Sequence, residues 1–150
     1  MTSKLLKVGI IGCGRMGLLT DPKIKKICPK YYLPYSHAEA VRTHPNLNLV
    51  GLCDTSNIAL NKAKELYPDI PCFKDPEQLL NELNPDLICI ATRTPQRFQL
   101  IELCIKNGVR LLHVEKPLCN SYSQLMQIAK MIERTKAHFT FGAIRRYLAP

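Results

Sequence analysis

Six consecutive residues near the N-terminus have the types and spacing of a phosphate-binding turn. They are Gly12, Cys13, Gly14, Arg15, Met16 and Gly17, which fit the pattern G-x-G-x-x-G. The turn follows the apolar run Val8–Ile11 and precedes helix-like sequence, as the dinucleotide-binding fingerprint requires. There the glycines permit a tight turn, approach of the backbone to a pyrophosphate, and close helix–strand packing. N–H groups at the helix start would hold the phosphates; a glycine-rich turn without a ligand is the alternative.

Asp54 stands at the end of the second apolar run, where an acidic residue can accept hydrogen bonds from ribose hydroxyls. It lies 37 residues after Gly17, against a usual separation of about 20. An insertion at residues 18–36 accounts for most of the excess. The carboxylate would repel a 2′-phosphate, and the next three residues include no arginine to neutralise one. The sequence therefore favours NAD over NADP, while a helix N-cap is a second, compatible role for Asp54.

A tripeptide with a lysine at its centre follows the fifth apolar run: Glu115, Lys116 and Pro117. In an open α/β sheet, ligands bind outside the carboxyl ends of the strands, so Lys116 would point into the cleft. A lysine there can polarise or protonate a hydroxyl or carbonyl oxygen during hydride transfer. For the bare tripeptide, a surface lysine before a turn proline is the ordinary alternative.

Together with the closing residues 142–147, these motifs resemble the glucose–fructose oxidoreductase / inositol dehydrogenase (Gfo/Idh/MocA) family over the whole chain. The resemblance implies reversible oxidation of a hydroxyl on a sugar, cyclitol or sugar nucleotide with NAD(P). It places Lys116 between nicotinamide and substrate, with a Lys116–Pro117 bond that is commonly cis. It makes Thr92, Glu115 and Pro117 expected cofactor contacts beside the glycine turn. It also implies a second α/β domain beyond Pro150 for the substrate, and we expect a homo-oligomer of the full-length protein.

The chain departs from that family in three places. After the fourth strand the family often has Ala-Thr-Pro-Asn followed by a histidine, whereas residues 91–97 read Ala-Thr-Arg-Thr-Pro-Gln-Arg, with Arg97 at the histidine place. Ile144 replaces a frequent asparagine, and the insertion at 18–36 is longer than usual. The first two departures concern contacts on the nicotinamide side.

Short apolar runs alternate with helical segments along the chain. The runs are Leu5–Ile11, Asn48–Cys53, Pro71–Phe73, Asp86–Ala91, Val109–Val114 and His138–Gly142. Near-continuous apolar strands suit burial on both faces. The pattern predicts an α/β fold: a doubly wound, mostly parallel six-stranded Rossmann sheet with helices on both faces. Helix starts are marked by the N-cap residues Asp75 and Ser121 and by Thr94-Pro95.

The insertion at residues 18–36 holds three prolines, three tyrosines and four lysines. It is too proline-rich for a continuous helix, so we expect the helix to resume near Ser36–Thr43. The lysines would attract an anionic substrate, and the tyrosines would supply contact area. A solvated loop without a specific role is the alternative.

The composition excludes several classes of protein. With 150 residues, 46% hydrophobic and 22% charged, the chain matches one ordinary globular domain rather than a disordered chain, a fibre or a disulfide miniprotein. No apolar run approaches the roughly 20 residues of a membrane helix, so we expect no membrane partner. The net charge of +9 favours anionic partners such as a phosphorylated cofactor. No nucleic-acid motif accompanies the basic residues, so we expect no nucleic acid.

The cysteines indicate the cellular compartment. Their number is seven; none form a Cys-x-x-Cys pair, and no histidine cluster has ligand spacing. We therefore expect neither a metal site nor a disulfide framework. The N-terminus lacks a small-residue cleavage site, so we predict no signal peptide. Reduced cysteines in such a chain predict a cytoplasmic protein.

Three functions are compatible with these motifs. The favoured one is the NAD-binding domain of an oxidoreductase acting on a sugar-like small molecule. A non-catalytic NAD-binding or redox-sensing module is the main alternative. A methyltransferase has a similar glycine turn and acidic strand end, but it has no use for the tripeptide at Lys116.

Overall fold

One parallel sheet of six strands organises the part of the chain that the computed structural model describes, residues 5–18, 22–27 and 34–142. The strands are β1 (Leu6–Ile11), β2 (Leu47–Cys53), β3 (Cys72–Phe73), β4 (Leu87–Ile90), β5 (Leu111–Val114) and β6 (His138–Phe141). Their order across the sheet is β3-β2-β1-β4-β5-β6, and every neighbouring pair is parallel. This is the strand order of a Rossmann sheet. The predicted fold is confirmed, with a sheet that is wholly parallel.

Helices cover both faces of this sheet. They are α1 (Pro22–Ile27), α2 (His37–Thr43), α3 (Asn57–Leu66), α4 (Pro76–Leu83), α5 (Thr94–Lys106) and α6 (Tyr122–Thr135). One hydrophobic cluster packs α4, α5 and α6 against the sheet, and a second packs α2 and α3 against the other face. Within β4, Ile88 and Ile90 belong to the first cluster and Cys89 to the second, as side-chain alternation requires. None of the described helices is long and apolar enough to cross a membrane.

Polar side chains fix the starts of three helices, and two of these N-caps, Asp75 and Ser121, were predicted. The side-chain oxygens of Ser56, Asp75 and Ser121 each accept a hydrogen bond from a backbone N–H in the first turn of α3, α4 and α6. Asn84, in the left-handed conformation, ends α4. These residues fix where the helices α3, α4 and α6 begin and where α4 ends.

The first crossover helix is interrupted after one turn and resumes after the insertion. Leu18 N donates to Gly14 O at 2.9 Å, which closes a helical turn. His37 N then donates to Met16 O at 2.9 Å, and Ala38 N donates to Gly17 O at 3.0 Å. Residues 37 and 38 therefore continue the helical ladder that begins at Gly14, although residues 19–35 separate them along the chain. Without those residues, Gly17 and Asp54 would be about 20 positions apart, the usual separation.

The helix resumes where the sequence predicted. Ser36 accepts from Glu39 N and begins α2. The insertion itself contains one short helix, α1, so it is not wholly loop. Residues 19–21 and 28–33 lie outside the described residues, as do Ile144 and the rest of the closing segment 143–150. The expected roles of Lys30, Tyr31 and Tyr32 therefore stay predictions.

Candidate functional site

The three glycines of the turn have different surroundings. Gly12 has φ +106°, and a Cβ there would lie 2.7 Å from the carbonyl carbon of Ala91. A Cβ on Gly17 would overlap the carbonyl oxygen of Gly12. Gly14, by contrast, is exposed, and no atom of the described residues lies within 4 Å of where its Cβ would be. Packing requires the first and third glycines, whereas the second leaves open space where a pyrophosphate can approach the backbone.

Asp54 ties the end of β2 to the glycine turn. Its Oδ2 accepts from Cys13 N at 2.8 Å, and its Oδ1 accepts from Ser56 N at 2.9 Å. The N-cap of α3 is Ser56, so the expectation that Asp54 also caps this helix is wrong. Each carboxylate oxygen can accept a second hydrogen bond. The group therefore retains capacity for the ribose hydroxyls of a nucleotide.

Cys13 contributes its backbone rather than its thiol. The side chain is fully buried, and burial together with the nearby Asp54 carboxylate raises the pKa of the thiol. The thiol stays protonated and faces the core. The prediction that Cys13 belongs to the site therefore concerns its N–H, which donates to Asp54.

Two adjoining cavities follow the carboxyl ends of the strands. The first, of about 350 Å³, is lined by residues that include Gly12, Gly14 and Asp54. The second, of about 920 Å³, is lined by residues that include Arg15, Met16, His37, Arg97, His113, Glu115 and Lys116. They share Ala91, Thr92 and Arg93. Together they form a cleft, and eight of the eleven predicted site residues line it; Cys13, Gly17 and Pro117 do not.

Lys116 and Pro117 form the turn that follows β5. Both residues are exposed, and the peptide bond between them is cis, as the family resemblance implies. Lys116 is one of the residues that line the second cavity. This placement is the one that the sequence predicted for a lysine at a strand's carboxyl end.

Arg97, the residue at the place of the family's histidine, is buried and connects two loops by hydrogen bonds. Its side chain is 5% exposed. Its Nε donates to Thr92 O at 3.0 Å, its Nη2 donates to the same oxygen, and its Nη1 donates to Pro117 O. Burial lowers the pKa of the guanidinium and the Glu115 carboxylate opposes that shift. The arginine thereby joins the loop after β4 to the turn after β5.

Glu115 sits in a cluster with two histidines. The carboxylate is buried, with Oε1 3.1 Å from His37 Nε2. The rings of His37 and His113 meet edge to face with centroids 5.0 Å apart. Burial raises the pKa of Glu115, but contact with His37 and the backbone N–H of Lys116 outweigh it, so the net pKa is lowered. Burial and the neighbouring His37 lower the pKa of His113.

Glu115 was a predicted site residue, whereas the two histidines beside it were not predicted. His37, His113 and Glu115 have no ligand spacing along the chain, and their meeting depends on the interrupted helix placing His37 beside β5. No local pattern could have revealed this cluster.

A parallel sheet in this strand order, with a glycine turn after β1, a carboxylate after β2 and a cleft along the strand ends, defines a dinucleotide-binding domain. A family model described as "Oxidoreductase family, NAD-binding Rossmann fold" matches residues 6–143. The chain therefore belongs to the Gfo/Idh/MocA oxidoreductase family, and the dinucleotide that this domain binds is NAD.

Similar proteins include several sugar and inositol dehydrogenases. Myo-inositol 2-dehydrogenase of Thermotoga maritima is 26% identical over 131 residues, which cover 87% of this chain and 33% of that protein. A structure of scyllo-inositol dehydrogenase from Lactobacillus casei, with NAD(H) and scyllo-inositol bound, has a TM-score of 0.75 at 22% identity and covers 97% of this chain and 38% of that one.

A third similar protein has a sugar nucleotide bound in its crystal structure. The WlbA dehydrogenase of Bordetella pertussis, in complex with NADH and UDP-GlcNAcA, has a TM-score of 0.76 at 21% identity. The alignment covers 98% of this chain and 37% of that one. This chain thus spans between a third and two fifths of the length of these relatives.

Proposed function

We propose that this chain is the NAD-binding domain of a dehydrogenase that transfers hydride between NAD and a hydroxyl carbon of a cyclitol, sugar or sugar nucleotide. The observation that carries this proposal is the position of Lys116, directly after β5 and lining the same cleft as the glycine turn. The names of the similar proteins support the substrate class, since they include inositol dehydrogenases and a complex with UDP-GlcNAcA.

The residues of the first cavity fit the adenosine and pyrophosphate parts of NAD. Gly14 offers the open approach for the pyrophosphate, beside backbone N–H groups at a helix start. The Asp54 carboxylate would accept hydrogen bonds from ribose hydroxyls and repel a 2′-phosphate, which favours NAD over NADP. The N–H of Cys13 is engaged by Asp54, so contact with phosphate falls to the residues from Gly14 onward.

The residues of the second cavity fit the reacting end. When bound, the nicotinamide supplies or accepts the hydride. The Lys116 ammonium would hydrogen-bond the substrate's carbonyl oxygen and donate a proton to it as the carbonyl is reduced. In the direction of oxidation, the neutral amine of Lys116 would accept the proton of the hydroxyl. Arg97 holds the backbone of this turn through Pro117 O, and buried Glu115 fixes its beginning. Thr92, which both cavities share, would contact the middle of the cofactor.

Replacement of Lys116 tests this function in the full-length protein. Lys116→Met keeps the bulk of the side chain and removes its charge and protons, so turnover should fall by roughly 10²–10⁴-fold. NADH affinity should change far less. Lys130→Met, on the exposed side of α6, is the matched control and should leave turnover unchanged. Near-normal turnover of Lys116→Met would return Lys116 to an ordinary surface lysine.

We also propose that the full-length protein works in the cytoplasm as a homo-oligomer. The six described cysteines are free thiols, which suits a reducing compartment. Exposed apolar side chains on α6, Tyr122, Leu125 and Met126, offer surface for assembly. Light scattering of the full-length protein would contradict the proposed homo-oligomer if it gave the mass of one chain.

A further inference from the structure

Three side chains with metal-ligating atoms meet on the wall of the second cavity. His37 comes from the start of α2, His113 from β5 and Glu115 from the residue after β5. One ligand atom from each lies within 4.8 Å of the other two. We propose that these three residues bind a divalent transition-metal ion of the zinc type, with a coordination position open to the cavity. This site is separate from the roles given above to Asp54 and Lys116.

The donor set fits such an ion. Two imidazoles and one carboxylate are the three protein ligands of one class of catalytic zinc site, whose fourth position is left for water or substrate. Bonds of about 2.0–2.2 Å place tetrahedral ligand atoms about 3.4 Å apart. His37 Nε2 and Glu115 Oε1, at 3.1 Å, are already near that separation. A ligand atom as far as 4.8 Å away must move by about 1.4 Å to reach that separation.

His37 Nε2 is a buried nitrogen that lacks a proper hydrogen bond. It is shielded from solvent, and among the described residues it has no hydrogen bond of good geometry, although Glu115 Oε1 lies 3.1 Å away. An ion between the nitrogen and the carboxylate would satisfy both atoms.

His113 is held in the manner of a metal ligand. Its Nδ1 lies 2.8 Å from Thr140 Oγ1. When Nδ1 carries the proton and donates it to Thr140, Nε2 keeps its lone pair for an ion. Histidines that bind metals almost always place their other nitrogen on such a partner, which fixes the ring's tautomer and orientation.

The backbone at His37 is fixed as well. Its N–H donates to Met16 O, so the interrupted helix holds the first ligand against the sheet. The Arg97 guanidinium interacts with Glu115 and opposes a cation at this site, as do the other basic residues that line the cavity, Arg15, Arg93 and Lys116. The buried carboxylate and the two neutral imidazoles must outweigh that repulsion for an ion to bind.

Titration of this chain with Co²⁺ tests the site without any enzyme assay. Cobalt replaces zinc and gives visible absorption that reports its ligands. We expect one Co²⁺ per chain, without the near-ultraviolet band that a cysteine thiolate would add. His37→Asn, His113→Asn and Glu115→Gln should each weaken binding by at least about tenfold. His44→Asn, an exposed histidine outside the cluster, should bind as the unmodified chain does.

A further variant covers the event that a buried substitution unfolds the chain. Thr140 is exposed, so Thr140→Val should fold normally, yet it removes the partner of His113 and should weaken Co²⁺ binding about tenfold. The proposal is overturned by absence of Co²⁺ binding, by a thiolate band that accounts for the bound ion, or by folded variants that bind as the unmodified chain does.

Discussion

The end of the cleft beside β1 and β2 is shaped by backbone, whereas the end beside β5 is shaped by side chains. At the first end, Gly12 and Gly17 pack against main-chain atoms and Asp54 accepts from two backbone N–H groups. At the second end, the buried side chains of Arg97 and Glu115 connect segments far apart in the chain. The first end therefore depends on a short local motif, whereas the second end depends on side chains from distant parts of the chain.

The largest effect on stability is expected from a substitution within the glycine turn. Gly17→Ala would force a Cβ onto the carbonyl oxygen of Gly12, a backbone atom that cannot swing away. We expect a loss of about 2–3 kcal/mol in the free energy of unfolding, measured with urea, and loss of NADH binding. Gly14→Ala meets no atom of the described residues within 4 Å, so stability should stay within about 0.5 kcal/mol while NADH binding weakens. Equal destabilisation by both variants would contradict the distinction drawn between them.

A smaller effect on stability is expected from substitution of Arg97, at the end of the cleft beside β5. Arg97→Met fills similar space but leaves the carbonyl oxygens of Thr92 and Pro117 without their donor. The cost should be about 2 kcal/mol in a urea melt. Arg97→Lys should recover only part of it, because one ammonium cannot replace the guanidinium fork. Full stability of Arg97→Met would show that these carbonyls find other partners.

The pH dependence of stability tests the titratable side chains at the end of the cleft beside β5. The pKa of His113 is lowered from 6.5, so the folded chain binds fewer protons there and stability falls as pH drops below 6.5. The pKa of Glu115 is lowered from 4.5, so its contribution is present above 4.5 and is lost as pH falls through its folded pKa. Acid should therefore destabilise the chain in two steps.

Two variants separate those steps. In a chelator, urea midpoints at about pH 7.5, 5.5 and 3 should show that His113→Asn loses the upper step and Glu115→Gln the lower one. His44→Asn is the control and should show both. An acid profile that is identical in all four chains would mean that this cluster does not contribute to the pH dependence.

The features that depend on neighbouring residues were predicted from the sequence. The glycine turn and the caps at Asp75 and Ser121 depend on neighbours within a few residues, so local patterns predicted them, whereas the cap of α3 was assigned to Asp54 instead of Ser56. The six strands were found to within about two residues for the same reason. Lys116 was placed by the rule that parallel strands expose their carboxyl ends at one edge.

The remaining features depend on contacts between distant segments. The sequence showed Arg97 as a substitution in a motif but not its hydrogen bonds to the carbonyls on two loops. The approach of His37 to Glu115 requires residues 16 and 37 to become neighbours in one helical ladder, which no spacing rule indicates. Asp54 was assigned to a ribose, while its bond to Cys13 N appeared only in three dimensions.

The most direct test of the account is equilibrium titration of this chain with NADH and with NADPH. The unmodified chain should bind NADH more tightly. Asp54→Asn keeps an acceptor oxygen for Cys13 N but removes the charge, so the preference for NADH should shrink by about tenfold, or 1.4 kcal/mol. Asp69→Asn removes the same charge from an exposed residue outside the cleft and should leave the preference intact. Equal or tighter binding of NADPH by the unmodified chain would contradict the assignment of Asp54 to the cofactor's ribose.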